Sequence, residues 1–145
     1  MKSNQAVIRS KELFDNGFGC AEAVLIAVSE HRQIRSELIP RIASGLCGGF
    51  GKTNGMCGAM SGGVLALSLV YGRDDTNQPK DILNEKIQKF VEFFRNKFGS
   101  INCTDLTGCD LSKPDGLQKF EAMNLHTKCL DFVVEATRKV ISLIE

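Results

Sequence analysis

Apolar residues recur at helical spacing along almost the whole chain, and no stretch keeps the period of two that marks a half-buried strand. Val7, Ile8, Leu13 and Phe14 outline a first amphipathic helix that ends near Asn16-Gly17. A second runs from about Cys20 to His31, with Val24, Leu25 and Val28 turned inward. A third, shorter helix is expected over Ser36 to Leu46, with Pro40 in its first turn, where a missing N–H costs little. A Gly-rich loop follows, and a fourth helix starts near Cys57 and stops at Tyr71-Gly72. The fifth is the clearest: Leu83, Ile87, Phe90, Val91, Phe94 and Phe98 share one face, and Gly99 ends it. Ile101 to Asp115 reads as a turn-rich connection with one helical turn at Thr104 to Leu106. Within it, Ser112 reads as a helix N-cap ahead of Lys113-Pro114-Asp115. The last helix starts near His126 or Thr127, with Leu130, Val133, Val134, Thr137, Val140, Ile141 and Ile144 in one stripe.

The pattern predicts an all-α fold, a compact bundle of about six or seven helices in one domain over residues 1–145. Net charge is +1 and no basic stripe is interleaved with aromatics, which argues against nucleic acid as a partner. The N-terminal residues lack a signal-peptide pattern, and the longest apolar run, around Val64 to Tyr71, is too short to cross a bilayer. The expectation is a cytoplasmic protein without direct membrane insertion.

Gly51-Lys52-Thr53 suggests a phosphate loop, but the spacing fails. A P-loop needs Gly five residues before its Gly-Lys-Thr, and that position is Leu46. The segment before the loop also reads as helix rather than strand, and Asn54-Gly55 after it is a turn.

The six cysteines carry more information: Cys20, Cys47, Cys57, Cys103, Cys109 and Cys129. Cys-x-x-Cys does not occur, so neither a thioredoxin-type motif nor a zinc knuckle is signalled. Cys20, Cys57, Cys103 and Cys129 fall at expected helix starts. Free N–H groups and a partial positive charge at such positions favour thiolate over thiol, so lowered pKa values are expected there. Gly58, Gly62 and Ala66 recur every four residues, as do Ala59 and Gly63, a pattern for close helix packing. The same rows suit a second copy of the chain, which makes a homodimer one expectation.

On these residues the sequence resembles the C_GCAxxG_C_C family of redox-active proteins. The matching pieces are Gly19-Cys20-Ala21-Glu22-Ala23-Val24, Ala43-Ser44-Gly45 and Cys57-Gly58-Ala59-Met60-Ser61-Gly62. They continue with Leu69 to Arg73, Phe98-Gly99-Ser100 and Cys103, then Leu106, Gly108, Asp110 and Cys129. The resemblance implies that Cys20, Cys57, Cys103 and Cys129 are the functional set. It also implies an unidentified redox partner and an association with membrane transport systems. A similar domain in split-Soret cytochromes accompanies an iron–sulfur centre, whereas their haem-attachment motifs are missing here.

Three chemistries follow for the four cysteines. They could ligate an iron–sulfur cluster and move single electrons. They could exchange disulfides, with Cys57 as nucleophile and Cys20 or Cys129 resolving. They could bind zinc in a non-catalytic module. Cys47 is read as an auxiliary thiol. His126, three residues before Cys129, is a candidate neighbour for that thiol, and His31 complements the end of its helix.

Overall fold

The computed structural model describes residues 2–145 and is helical, with no strand among the described residues. Eight helical segments follow one another: α1 (Ser3–Asp15), α2 (Cys20–His31), α3 (Cys47–Phe50), α4 (Gly58–Tyr71), α5 (Asp81–Phe98), α6 (Cys103–Thr107), α7 (Pro114–Ala122) and α8 (His126–Ile144). A 3₁₀ helix, Arg41–Leu46, precedes α3. Among the described residues no helix is long and apolar enough to cross a membrane.

Helix α2 is the centre of the bundle. Ala21 and every residue from Ala23 to Ser29 are buried, so it is apolar nearly all round. It packs against α1, α4 and α8. Helices α5 and α8 are one-sided by contrast. Leu83, Phe90 and Phe94 of α5 meet a stripe of α8 that includes Phe132, Val133, Val140 and Ile141. Phe94, Phe98 and Phe132 form a tilted aromatic cluster with ring centroids 4.7 to 5.9 Å apart. The Arg9 guanidinium reaches Glu30 at 3.0 Å and ties α1 to α2 at their polar edge.

The small residues of α4 explain how α2 can lie so near it. A Cβ at Gly62 would stand 2.6 Å from the Ala21 carbonyl oxygen and 2.7 Å from its Cα. A Cβ at Gly63 would overlap the Phe90 ring on the other side. The two rows read from the sequence are therefore filled by α2 and α5 of the same chain.

Two local expectations change. Ser36 to Leu46 is not one helix: turns run to Pro40 and only Arg41–Leu46 is helical, in 3₁₀ form. The segment has no face to bury, since Leu38 is 60% exposed, Ile42 is 56% exposed and only Ala43 is buried. Pro40 also disfavours a helical conformation at Ile39, and the Ser36 hydroxyl accepts the Leu38 N–H at 3.1 Å, which competes with helix formation. The other change is at α7, which starts at Pro114 with Lys113 as its N-cap residue. Ser112 instead gives its hydroxyl and its N–H to the Asp110 carboxylate.

The Gly-rich loop holds the least ordinary backbone. Gly48, Gly49, Phe50, Gly51 and Lys52 all have φ between 62° and 71°, so they form one left-handed turn. It is closed by Gly51 N–H to the Cys47 carbonyl at 3.1 Å and Thr53 N–H to the Gly49 carbonyl at 3.2 Å. L-residues with a side chain lose roughly 1–2 kcal/mol each in this conformation. Three of the five positions are glycine, which confines that cost to Phe50 and Lys52.

Candidate functional site

Four helix starts place four of the cysteines along the lining of one cavity. Cys20 is the first residue of α2, Cys57 caps α4, Cys103 opens α6 and Cys129 is the fourth residue of α8. Together with Cys47 they line one cavity of about 500 Å³. Helices α2 and α4 start side by side because Gly58 leaves room: a Cβ there would lie 3.0 Å from Cys20 Cβ and 3.1 Å from the Ala21 nitrogen. Cys57 and Cys103 are paired through backbone. Met56 and Asn102 form an antiparallel bridge, Cys57 N–H donates to the Ile101 carbonyl at 2.7 Å, and Cys103 N–H donates to the Gly55 carbonyl at 2.9 Å. Asn54 braces this crossing by donating to Asp110 at 2.7 Å and accepting the Leu111 N–H at 3.2 Å.

Glycines contact sulfur-bearing residues at three points. Gly58 packs on Cys20, Gly49 would place a Cβ 2.9 Å from Cys103 Cβ, and a Cβ at Gly19 would overlap the Cys47 sulfur. Gly19 is the N-cap residue of α2 and has no side chain to cap it. The Cys47 sulfur faces the free N–H groups of Ala21 and Glu22 instead, in the space where a capping side chain would sit. Glu22 completes the corner, accepting the Gly19 N–H at 2.8 Å and the Ser44 hydroxyl at 2.8 Å.

Of the four thiols expected to have lowered pKa values, only Cys129 is lowered, and Cys20, Cys57 and Cys103 are raised. Burial pushes Cys57, only 4% exposed, up from 9.0 to about 12. The N–H groups of Ala59 and Met60 do pull it down, as a helix start should, but desolvation outweighs them. Burial likewise raises Cys103 to about 11, and the neighbouring Cys129 and Cys109 add to the rise. Burial is also the main cause of the raised pKa at Cys47.

Cys20 and Cys129 behave as a pair. Cys129 is held below the ordinary thiol value chiefly by the adjoining Cys20 thiol, with Lys128 helping and burial opposing. Cys129 as a neighbour, then burial, then Cys57 and Cys47 raise Cys20 well above that value. One thiol is thus poised to ionise and the other to stay neutral.

The six cysteines are all free. Cys109 is buried beside Cys103 and Leu111 in a small separate cluster and does not reach the cavity. His126 lines the cavity with its ring stacked on Phe14, centroids 4.3 Å apart. No spacing in the sequence links Phe14 to His126, because α1 and α8 meet only in the fold. The same holds for Phe120 and Leu117 of α7, which close the cavity's apolar side.

Among the described residues, no three His, Cys, Asp or Glu side chains stand close enough to hold one metal ion. A single zinc ion, with sulfur ligands at about 2.3 Å, would need the thiols drawn inward. An iron–sulfur cluster spreads its thiolate ligands around several metal atoms, and the donor type and the number of cysteines lining the cavity match its usual ligand set.

The family model described as "Putative redox-active protein (C_GCAxxG_C_C)" matches residues 18–143, from just before Cys20 to the end of α8. The chain belongs to this family. Comparison with curated proteins and with solved structures gave no match. The C_GCAxxG_C_C match spans all six cysteines, and five of them are the ones that surround the cavity.

Proposed function

We propose that this C_GCAxxG_C_C protein is a thiol–disulfide redox protein whose working pair is Cys129 and Cys20. What supports the reading is that Cys20 and Cys129, at the starts of the packed helices α2 and α8, line one cavity, where their mutual influence lowers Cys129 and raises Cys20. Cys129 takes the attacking role that the sequence suggested for Cys57, since burial keeps the Cys57 thiol protonated to about pH 12.

The chemistry balances as ordinary exchange. The Cys129 thiolate attacks one sulfur of a disulfide in the cavity, and the other sulfur leaves as a thiolate that takes up a proton. Cys20 then loses its proton and attacks the Cys129 sulfur. The second half of the substrate leaves, and the Cys20–Cys129 disulfide remains. One disulfide is reduced to two thiols while two protein thiols are oxidised. Phe14, Phe120 and the other apolar walls limit water at the reacting sulfurs.

The experiment is peptide mapping of thiols trapped across graded glutathione redox buffers. Reversible formation of a Cys20–Cys129 bridge is expected. A protein that stays fully reduced at potentials that oxidise ordinary dithiols refutes the reading.

A second reading has its own support: Cys20, Cys57, Cys103 and Cys129 all line one cavity. These four would hold an iron–sulfur cluster, which supplies one-electron transfer when bound. Anaerobic purification with iron, sulfide and visible-absorption measurements tests it. Iron and sulfide in stoichiometric amounts, lost on substitution of any of the four, would favour the cluster. A colourless protein that cannot be reconstituted counts against it.

A further inference from the structure

We infer that Cys47 is a third working thiol of the same centre, and that the disulfide formed between Cys20 and Cys129 moves inside the protein to Cys20–Cys47. The inference rests on the thiol–disulfide reading above and extends it to a residue outside the four cysteines that the family resemblance marks.

Two glycines place Cys47 against Cys20. Gly19, the residue before Cys20, has no side chain, and a Cβ there would overlap the Cys47 sulfur and lie 2.8 Å from Cys47 Cβ. Gly58 touches both cysteines at once: its Cβ would be 3.0 Å from Cys20 Cβ and 3.4 Å from Cys47 Cα. Cys20 therefore has two thiols as neighbours on the same cavity, Cys129 from α8 and Cys47 from the start of the left-handed turn.

Mobility and access fit the role. The Cys47 backbone is held, since its carbonyl accepts the Gly51 N–H at 3.1 Å. Its thiol is loosely held, with the Ala43 carbonyl at 3.8 Å and Glu22 Oε1 at 3.9 Å. It is half-buried in the wall of the cavity that Cys129 also lines.

In the transfer, Cys47 first loses its proton to solvent. The Cys47 thiolate attacks the Cys20 sulfur of the Cys20–Cys129 bridge. A Cys20–Cys47 bond forms, the bond to Cys129 breaks, and Cys129 leaves as a thiolate. The number of disulfides is unchanged, so no oxidant or reductant is consumed. The protein keeps its oxidising equivalents while the attacking thiol is freed.

The test uses the full chain as wild type, Cys47→Ala and Cys129→Ser, each checked for helical content by circular dichroism. Each is reduced, oxidised with a slight excess of diamide, blocked with N-ethylmaleimide and mapped by mass spectrometry without reduction. Wild type is expected to yield both Cys20–Cys129 and Cys20–Cys47 peptides. Cys47→Ala should yield the first alone, and Cys129→Ser the second alone. If wild type gives only Cys20–Cys129, and Cys129→Ser leaves Cys20 and Cys47 alkylated, the transfer is overturned and the working pair stands. If neither wild type nor Cys47→Ala forms the Cys20–Cys129 bridge, the pair fails and the transfer fails with it. Should Cys129→Ser not fold, the wild-type and Cys47→Ala maps still decide between these outcomes.

Discussion

Adding one methyl group to the seam between α2 and α4 should destabilise this protein measurably, although it improves helix propensity. The substitution is Gly62→Ala. An alanine is better than glycine in a helix interior by about 1 kcal/mol. Here its Cβ would stand 2.6 Å from the Ala21 carbonyl oxygen, 2.7 Å from its Cα and 3.0 Å from its carbonyl carbon. Carbon atoms pack at about 3.5–4.0 Å, so the helices must part by close to 1 Å. The obstacle is backbone, so no rotamer change relieves it. Both sides of the seam are fully buried, with Ala21, Ala59, Met60 and Ala66 at 0% exposure, so parting them opens contacts with no replacement. Overpacking of this kind costs about 1–3 kcal/mol, sometimes more, and an immovable neighbour places it at or above the upper end. After the propensity gain, the net loss is about 2 kcal/mol. For a chain of this size that lowers Tm by about 4–8 °C. The assay is thermal and urea unfolding of the reduced protein followed by far-ultraviolet circular dichroism. Gly45→Ala is the control, because a Cβ there meets nothing within 4 Å, and it should be neutral or slightly stabilising. A Gly62→Ala protein as stable as wild type would refute the packing argument.

Other expectations follow from the same geometry. Cys57 titrates at about 12 in the folded protein against 9.0 ordinarily, so its contribution to stability is complete below pH 9 and is lost as pH rises toward 12. That loss amounts to about 4 kcal/mol by pH 12, and urea unfolding between pH 8 and 11 should show its onset in wild type and a flatter profile in Cys57→Ser. In Cys20→Ala, Cys129 loses the neighbouring thiol that lowers its pKa, so the midpoint of its pH-dependent alkylation by iodoacetamide should move upward. An unchanged midpoint would remove the basis for pairing the two. Gly49→Ala should lower stability by about 2–4 kcal/mol in urea unfolding, because it adds a left-handed alanine to a Cβ 2.9 Å from Cys103 Cβ.

Much of the bundle was legible because helix ends and apolar stripes are local properties. Gly99 closes α5 in the left-handed conformation as its position suggested, and of the expected α8 stripe Val133, Thr137, Val140, Ile141 and Ile144 are buried while Leu130 and Val134 are only partly covered. Ser36 to Leu46 misled because a tolerated first-turn Pro40 implies nothing about whether a neighbour covers Leu38 and Ile42. The chain offers none. Glycine density marked the loop before α4, but handedness did not show, since glycine accepts either sign of φ.

For the site, the amino-acid order by itself determined which cysteines stand at or near helix starts and where small residues permit close approach. Those facts depend on capping, on helical repeat and on the absence of a Cβ, all of which act over a few residues. Only the tertiary structure decided what each thiol became. The N–H groups that pull Cys57 down belong to its own helix, but the burial that overrides them comes from the surrounding bundle. Cys129 is lowered by a thiol from α2, brought to it by packing across the core. A pKa is the balance of local hydrogen bonds against desolvation and neighbouring charge. The first can be read along the chain, whereas the other two exist only once distant segments meet.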